Sequence, residues 1–140
     1  MLLLIHRKEH FNAAHKLYNP GWSEEKNREV FGPCANENWH GHNFELITSV
    51  KGEVNPETGF VIDLKKLKEI IQAEIIEKVD HKNINLDVPF MQGKIGSCEN
   101  LIIELWKILE PRINALDSKA KLYRLRLFET PRNFVDYYGE

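Results

Sequence analysis

The sequence predicts an α+β protein, with a four-stranded antiparallel sheet and two helices on one face in the order ββααββ. Two strand-like stretches open the chain, and a strictly alternating stretch lies near its end. Two stretches with apolar residues at helical spacing lie between them. The chain has 140 residues, which is the size of one domain, and we expect a single domain spanning 1–140.

The first strand is predicted over residues 2 to about 15, and the second over Asn43 to Val54, because both stretches are rich in β-compatible residues. We expect these two strands to form an antiparallel pair. Between them, Tyr18 to Trp39 carries prolines and glycines and few periodic apolar positions. A connection this long is usually functional, so the pattern predicts a long functional loop.

Asp63 can cap the first helix. The apolar residues of this helix repeat at spacings of three and four, and they are Leu64, Leu67, Ile71 and Ile75. Ser97 can cap the second helix, in which Pro111 is expected to disturb the last turn. Its apolar residues are Leu101, Leu105, Trp106, Ile108, Leu109 and Ile113.

Residues 121–129 alternate strictly and predict the third strand, and residues 133–138 predict a short fourth strand. The apolar face of the third strand would contain Tyr123, Leu125 and Leu127. Arg124 and Arg126 would lie on the other face, away from the helices. Both edges of such a sheet would be exposed, which favours pairing between copies of the chain.

Composition excludes several classes of protein. Nineteen basic and twenty-one acidic residues give a net charge of −2, which disfavours a nucleic-acid partner. The longest apolar run is Met1 to Ile5, far short of the roughly 18 residues of a membrane span. Arg7 and Lys8 follow this run, which argues against a signal peptide. We therefore expect a cytoplasmic protein with no membrane partner, whose two cysteines are free thiols.

The clearest chemical motif is His40-Gly41-His42, since alternate residues of a strand point to the same face. His15 shares a face of the first strand with Phe11 and Ala13. If the two strands pair so that His15 faces His40 and His42, three imidazoles meet with a fourth position open. That is the ligand set of a catalytic zinc ion. The alternative is that these are ordinary surface or core histidines, since a bare His-x-His is common without a metal.

Three further positions are candidates for chemistry. Cys34 lies in the loop before the strand that carries His40 and His42. It is either a nucleophile or base, or a small buried hydrophobe. Asp80 can fix the tautomer of His81, although neighbours in a chain often point apart. Glu129 falls at an apolar position of the third strand. Its carboxylate either binds adjacent N–H donors of a heterocycle or lies at a frayed strand end.

Taken together, these residues resemble the 6-pyruvoyl tetrahydropterin synthases and their bacterial relatives, the 6-carboxy-tetrahydropterin synthases. The matching motifs run in register over nearly the whole chain: 11–15 (FNAAH), Cys34 with 40–43 (HGHN), 52–59 (GEVNPETG), 80–83 (DHKN), 99–100 (EN) and 129–130 (ET). The resemblance implies the tunnelling fold, in which sheets join at their edges into a barrel. It also implies 7,8-dihydroneopterin triphosphate as the substrate.

The resemblance also implies a role for each matched residue. The zinc ligands would be His15, His40 and His42. The catalytic thiolate would be Cys34, with Asp80 and His81 as a proton relay. Glu129 would anchor the pterin, and Ser97, Cys98 and Glu99 would line its pocket. The implied assembly is a trimer, or a hexamer of two trimers, in which residues near Asp80 and His81 complete a neighbour's site.

Two residues depart from the family pattern. Cys98 stands where relatives more often have threonine. Glu37 lies three residues before His40, a spacing at which one branch of the family has a glutamate in place of the cysteine. We expect 6-pyruvoyl tetrahydropterin as the product. One alternative is a 6-carboxy-tetrahydropterin synthase of queuosine biosynthesis. A non-catalytic metal- or pterin-binding module is the other alternative, and Cys34 together with the Asp80-His81 pair argues against it.

Overall fold

The computed structural model describes residues 1–140 and contains a five-stranded sheet in the order β3-β1-β2-β4-β5. The strands are β1 (Leu2–His15), β2 (His40–Glu53), β3 (Lys82–Asn83), β4 (Lys121–Phe128) and β5 (Phe134–Tyr137). The four longer strands are antiparallel to their neighbours, as predicted. The expected number of strands was wrong, because β3 adds a fifth strand parallel to β1. A two-residue strand is too short to leave an alternating pattern.

Both expected helices are present, together with three that were not expected. The helices are α1 (Glu24–Phe31), α2 (Leu64–Ile71), α3 (Glu77–Val79), α4 (Ile84–Asp87) and α5 (Cys98–Asn114). A π-helical turn, Gln72–Ile76, joins α2 to α3, so that the helical backbone is continuous from residue 64 to 79. None of the helices combines the length and apolarity needed to cross a membrane.

The two predicted helix caps are formed. Asp63 accepts hydrogen bonds from the backbone N–H groups of Lys65 and Lys66, and Ser97 Oγ accepts one from Asn100 N. Leu64, the first apolar residue of the predicted repeat, lies in the first turn of α2 and is 49% exposed. Pro111 lies inside α5, which continues to Asn114.

The predicted loop from Tyr18 to Trp39 was wrong in part, since it contains α1. Ser23 caps this helix by accepting a hydrogen bond from Lys26 N, and two glutamates lie in the first turn, where negative charge is favourable. Only Asn27 of this helix is buried. The helix was missed because it has no apolar face to produce a periodic pattern.

The core lies between one face of the sheet and the helices α2 and α5, which contact β1 and β4 respectively. Its largest members are Phe11, Phe44, Leu46, Leu67, Ile71, Ile75, Ile84, Met91, Leu101, Ile102, Leu105 and Leu109. Phe11 and Phe44 are cross-strand partners whose rings stack with centroids 4.9 Å apart. Cross-strand aromatic pairs stabilise a sheet, and this pair fixes the register of β1 against β2 beside the site.

A β-bulge in β4 corrects the predicted face of one residue. Ser49 pairs with Arg124, whereas the next residue, Val50, pairs with Leu122, so Tyr123 is an extra residue in β4. Leu122 is consequently buried, and Tyr123 is 37% exposed. The prediction that Tyr123 faces the helices was wrong, because a bulge changes the pairing without disturbing the local alternation of the sequence.

Candidate active site

Three imidazoles lie together at one end of the β1–β2 pair. The strand register places His15 opposite His40, and Ala13 opposite His42, so all three rings lie on the helix side of the sheet. The ring centroids are 4.5–5.1 Å apart. One ring nitrogen from each histidine lies within 4.8 Å of the other two. Small Ala13 leaves room between them.

The hydrogen-bonding state of these rings fits a metal ion. His15 Nδ1 lies 2.7 Å from Gly96 O, which makes Nδ1 the donor and leaves Nε2 with a free lone pair. His15 Nε2, His40 Nδ1 and His42 Nε2 are buried without a hydrogen-bond partner. Unpaired buried polar atoms are costly, and a cation that takes imidazole ligands, such as zinc, would satisfy them.

Burial also favours the form of the rings that binds metals. The pKa of His15 is lowered, mainly because burial disfavours its charged form and further because His40 and His42 are close, while the bond to Gly96 opposes the shift. The pKa of His40 is lowered by burial and then by His42. Neutral imidazole is the metal-binding form. The cluster therefore needs no proton release from these two rings near neutral pH.

A carboxylate lies beside the imidazoles. Glu129 follows β4 directly, and its Oε1 is 3.3 Å from His42 Nε2, a close approach without the alignment of a hydrogen bond. Glu129 also faces a small cavity lined by Cys98, Glu99, Glu129, Asn133, Phe134 and Val135. Three of the four residues predicted to bind the pterin therefore share one cavity. The fourth, Ser97, does not line it, and its hydroxyl caps α5.

Cys98 contributes a buried thiol to this cavity. Its Sγ lies 3.8 Å from Leu127 O, to which it donates a weak hydrogen bond. Burial, followed by the charges of Glu129 and Glu99, raises the pKa of this thiol to about 12. Cys98 is therefore a neutral lining group and a poor nucleophile.

Cys34 lies in a short 3₁₀ turn, Gly32–Ala35, and is half-buried. Its carbonyl accepts a hydrogen bond from Leu17 N at 2.7 Å. The turn therefore lies beside the continuation of β1, two residues beyond His15. Glu37 is exposed in the turn that precedes Trp39 and makes no hydrogen bond or ion pair. Of the two candidate bases in this segment, only Cys34 is tied by its backbone to the histidine end of β1.

The Asp80–His81 pair lies at the far edge of β1. Asp80 Oδ1 accepts a hydrogen bond from Asn12 N at 2.8 Å, and His81 N donates to Asn12 O. His81 Nδ1 is 3.0 Å from Asp80 Oδ2. The pKa of Asp80 is lowered, first by the Asn12 N–H and then by His81. Since β1 lies between this pair and β2, the pair does not lie beside His40 and His42 of the same chain.

The backbone and exposure of His81 are also unusual. It has a φ of 58°, which is uncommon outside glycine, and its side chain is 83% exposed. The imidazole thus points into solvent while its backbone is bound to β1. A residue held in this way is available to a second chain.

Sequence reasoning missed two residues behind the histidine cluster. Gly96 supplies the carbonyl that binds His15, and Asn85 packs against Gly96. The only sequence signal is weak, namely a glycine directly before the capping residue Ser97. Their contribution depends on long-range contacts that no local pattern encodes.

The fold and the site together define an α+β protein with a histidine cluster that could hold a metal ion beside a carboxylate-lined cavity. The family model described as 6-pyruvoyl tetrahydropterin synthase matches residues 4–140. The chain is 36% identical to human 6-pyruvoyl tetrahydrobiopterin synthase, with 97% of the chain and 91% of that protein covered. It is 38% identical to the Dictyostelium discoideum protein of that name, with 99% and 97% covered.

A solved structure agrees with these sequence matches. The Caenorhabditis elegans 6-pyruvoyl tetrahydropterin synthase superposes with a TM-score of 0.88 at 34% identity, with 100% of this chain and 97% of that chain covered. The chain therefore belongs to the 6-pyruvoyl tetrahydropterin synthase family.

Proposed function

We propose that this chain is a zinc-dependent carbon–oxygen lyase that converts 7,8-dihydroneopterin triphosphate to 6-pyruvoyl tetrahydropterin and triphosphate. Residues 1–140 form one pterin synthase domain in this proposal. The observation that carries it is the contact between the histidine cluster and the carboxylate of Glu129. The imidazole cluster touches Glu129 through the 3.3 Å approach of His42, so a ring held by the carboxylate would present its side chain to the metal ligands.

Zinc would be held by His15, His40 and His42, whose unpartnered nitrogens support this assignment. When bound, zinc would polarise the side-chain hydroxyl oxygens of the substrate and make the attached C–H bonds more acidic. Burial of His15 and His40 supports the same assignment, because it keeps these two rings neutral.

Glu129 would hold the pterin ring. Its carboxylate is half-buried beside Cys98 and Glu99, and a carboxylate can accept two parallel N–H bonds from a guanidine-like edge. Phe134 lies in the same cavity and offers an aromatic surface to a flat ring. The cavity thus supplies charge-assisted recognition at one end and apolar contact at the other.

Cys34 would remove a proton from a carbon of the substrate side chain, and His81, oriented by Asp80, would return one. Loss of triphosphate from C3′ together with the C2′ proton gives an enol, which becomes the C2′ carbonyl and a methyl group. Oxidation of C1′ to the second carbonyl moves two electrons and two protons within the substrate to the C6=N5 bond, which makes the ring a tetrahydropterin. The balance is internal to the substrate. The half-buried thiol supports the first role, and the 3.0 Å contact between His81 and Asp80 supports the second.

We also propose a trimer, or a hexamer of two trimers, joined at the sheet edges. The second edge of β1 pairs only with Lys82 and Asn83 of β3, opposite Ala13 and Ala14. Most of this long strand therefore has an open edge, flanked by exposed Leu2 and Leu4. Open edges favour pairing, and a paired neighbour would meet His81. Light scattering should find an assembly larger than 16.4 kDa, and a stable, active monomer would contradict the proposal.

The direct test is to incubate the purified protein with 7,8-dihydroneopterin triphosphate and zinc and to identify the pterin product by mass spectrometry. We expect 6-pyruvoyl tetrahydropterin, and none from a His40→Ala variant used as the matched control. Release of 6-carboxy-tetrahydropterin with acetaldehyde would assign the chain to the alternative reaction. Binding of zinc and pterin without any product would assign it to a non-catalytic role.

A further inference from the structure

The side-chain amide of Asn85 binds the backbone directly beyond His15. Its Oδ1 accepts a hydrogen bond from Lys16 N at 3.2 Å, and its Nδ2 donates to Lys16 O at 3.1 Å. The pairing of β3 with β1 ends two residues before Lys16, where Asn83 lies opposite Ala14. The amide therefore continues this pairing in place of a peptide group, and both polar groups of the Lys16 backbone are held.

The same amide also contacts the residue that binds the His15 ring. A Cβ atom added to Gly96 would lie 2.8 Å from Asn85 Oδ1 and 3.2 Å from Asn85 Cγ, so the amide lies directly against Gly96. The carbonyl of Gly96 accepts the hydrogen bond from His15 Nδ1 at 2.7 Å. One side chain thus touches both the backbone after His15 and the residue that orients its imidazole.

The backbone of Asn85 is held in place by hydrogen bonds within its own segment. Asn83 Oδ1 accepts hydrogen bonds from Asn85 N and Leu86 N, and Asp87 Oδ2 accepts one from Asn83 N. Ile84 is fully buried in the core. These contacts stabilise α4 without the Asn85 side chain, whose hydrogen bonds go to Lys16. The Asn85 side chain therefore binds the backbone beside the histidine cluster and makes no hydrogen bond within its own helix.

We propose that Asn85 is a positioning residue for the metal site, which keeps the His15 ring oriented with Nδ1–H on Gly96 and Nε2 directed at the metal. The inference rests on the proposed function only in taking His15 as a metal ligand. Groups that orient a ligating histidine from behind are worth about 10- to 100-fold in metal affinity.

The first test measures zinc affinity by competition with a chromophoric chelator, without substrate. We expect Asn85→Ala to weaken zinc binding about 10- to 100-fold. Asn85→Asp keeps the acceptor for Lys16 N but loses the donor to Lys16 O, so we expect a smaller loss. Asn114→Ala is the matched control, because it also removes an amide that binds a distant backbone N–H, that of Leu122, and it should lower the melting temperature while zinc affinity stays unchanged. Wild-type zinc affinity in Asn85→Ala would overturn the proposal.

A double-mutant cycle tests whether Gly96 and Asn85 act together. Gly96→Ala alone would push the amide away from Lys16 and should weaken zinc binding. In the Asn85→Ala background the added methyl group has room, so the same substitution should cost little. An equal cost of Gly96→Ala in both backgrounds would contradict the coupling.

A metal-free readout separates this inference from the proposed reaction. Imidazole ¹⁵N NMR at pH 8 should find the Nδ1–H tautomer of His15 in the wild-type protein and a mixture of tautomers in Asn85→Ala. A single unchanged tautomer would contradict the inference even if the wild-type protein makes the expected pterin. The proposed reaction alone would be contradicted if the wild-type protein makes no pterin while Asn85→Ala still changes both the zinc affinity and the His15 tautomer.

Discussion

The histidine cluster and the Asp80–His81 pair lie on opposite sides of the same strand and differ in almost every physical respect. His15 is 1% exposed and bound from behind by Gly96, whereas the His81 side chain is 83% exposed. The cluster draws its three histidines from β1 and β2 of one chain. The pair is tied to Asn12 through Asp80 Oδ1 and His81 N, and its exposed imidazole contacts Asp80. Under the proposed function, one chain would assemble the zinc ligands, whereas proton transfer would need a neighbouring chain.

The largest expected effect comes from the cluster. His42→Ala should abolish stoichiometric zinc binding and lower turnover by more than about 10³-fold, because a metal supplies several kcal/mol of transition-state stabilisation. His6→Ala is the matched control, since His6 lies on the other face of the sheet and bonds to Ser49. Elemental analysis and product formation are the measurements. A His42→Ala protein with one zinc per chain would remove His42 from the ligand set.

The second prediction divides the proton-transfer groups between chains. Cys34→Ala and His81→Ala should each keep the fold and zinc and lose turnover by about 10²- to 10⁴-fold, the usual scale for a positioned acid or base. If the site is shared, unfolding and refolding the two variants together at equal amounts should restore activity in about a quarter of the sites, since random assembly places both intact groups together that often.

Two outcomes of this experiment would change the roles assigned to Cys34 and His81. Mixed assemblies that remain inactive, although mass spectrometry shows that chains have exchanged, would mean that Cys34 and His81 serve the same site within one chain. Full activity in Cys34→Ala alone would transfer the role of base to Glu37.

The strands and helices that bring the three histidines together could be predicted from the sequence, whereas the contacts that support them could not. β-compatible composition, period-two alternation and the Asp63 and Ser97 caps are local signals, and they placed β1, β2, β4, α2 and α5. Strand β2 begins at His40, three residues before the predicted start at Asn43. The bulge at Tyr123, the two-residue β3 and the contact of Asn85 with Gly96 arise from pairing between distant segments. No local pattern records such contacts. Helix α1 did carry local signals, namely Ser23 followed by two glutamates, but it lacks an apolar face.

Glu129 should affect binding more than turnover. Glu129→Gln keeps the shape of the side chain but loses the charge, and charge-assisted hydrogen bonds contribute about 1.5–3 kcal/mol. We therefore expect KM to rise about 10- to 100-fold with a smaller change in kcat. Glu53→Gln, at the opposite end of β2, is the control. Steady-state kinetics with a fall in kcat and an unchanged KM would indicate instead that Glu129 acts on the reacting atoms.

The smallest expected effect is a difference in reactivity between the two thiols, because Cys98 is buried and Cys34 is half-buried. Cys98 is buried and its pKa is raised to about 12, so at pH 8 it should react with iodoacetamide far more slowly than half-buried Cys34. Peptide mass spectrometry over a time course measures both rates in one sample. Equal labelling would show that the cavity beside Glu129 opens in solution. Neither thiol needs to be substituted for this measurement.

The π-helical turn at Gln72–Ile76 has a consequence for how chain length can vary in this fold. A π turn holds one residue more than the α turn it replaces, and each residue of an α-helix advances the chain by about 100° around the axis. Deleting one residue here would restore a regular helix and leave the residues after it in nearly the same phase, whereas a deletion in a regular α-helical turn would rotate them by roughly that angle. With the residue deleted from the π turn, Asp80 and His81 would still reach Asn12, to which both are bonded. The π turn therefore marks the place where this helix can gain or lose one residue without moving the pair away from the strand edge.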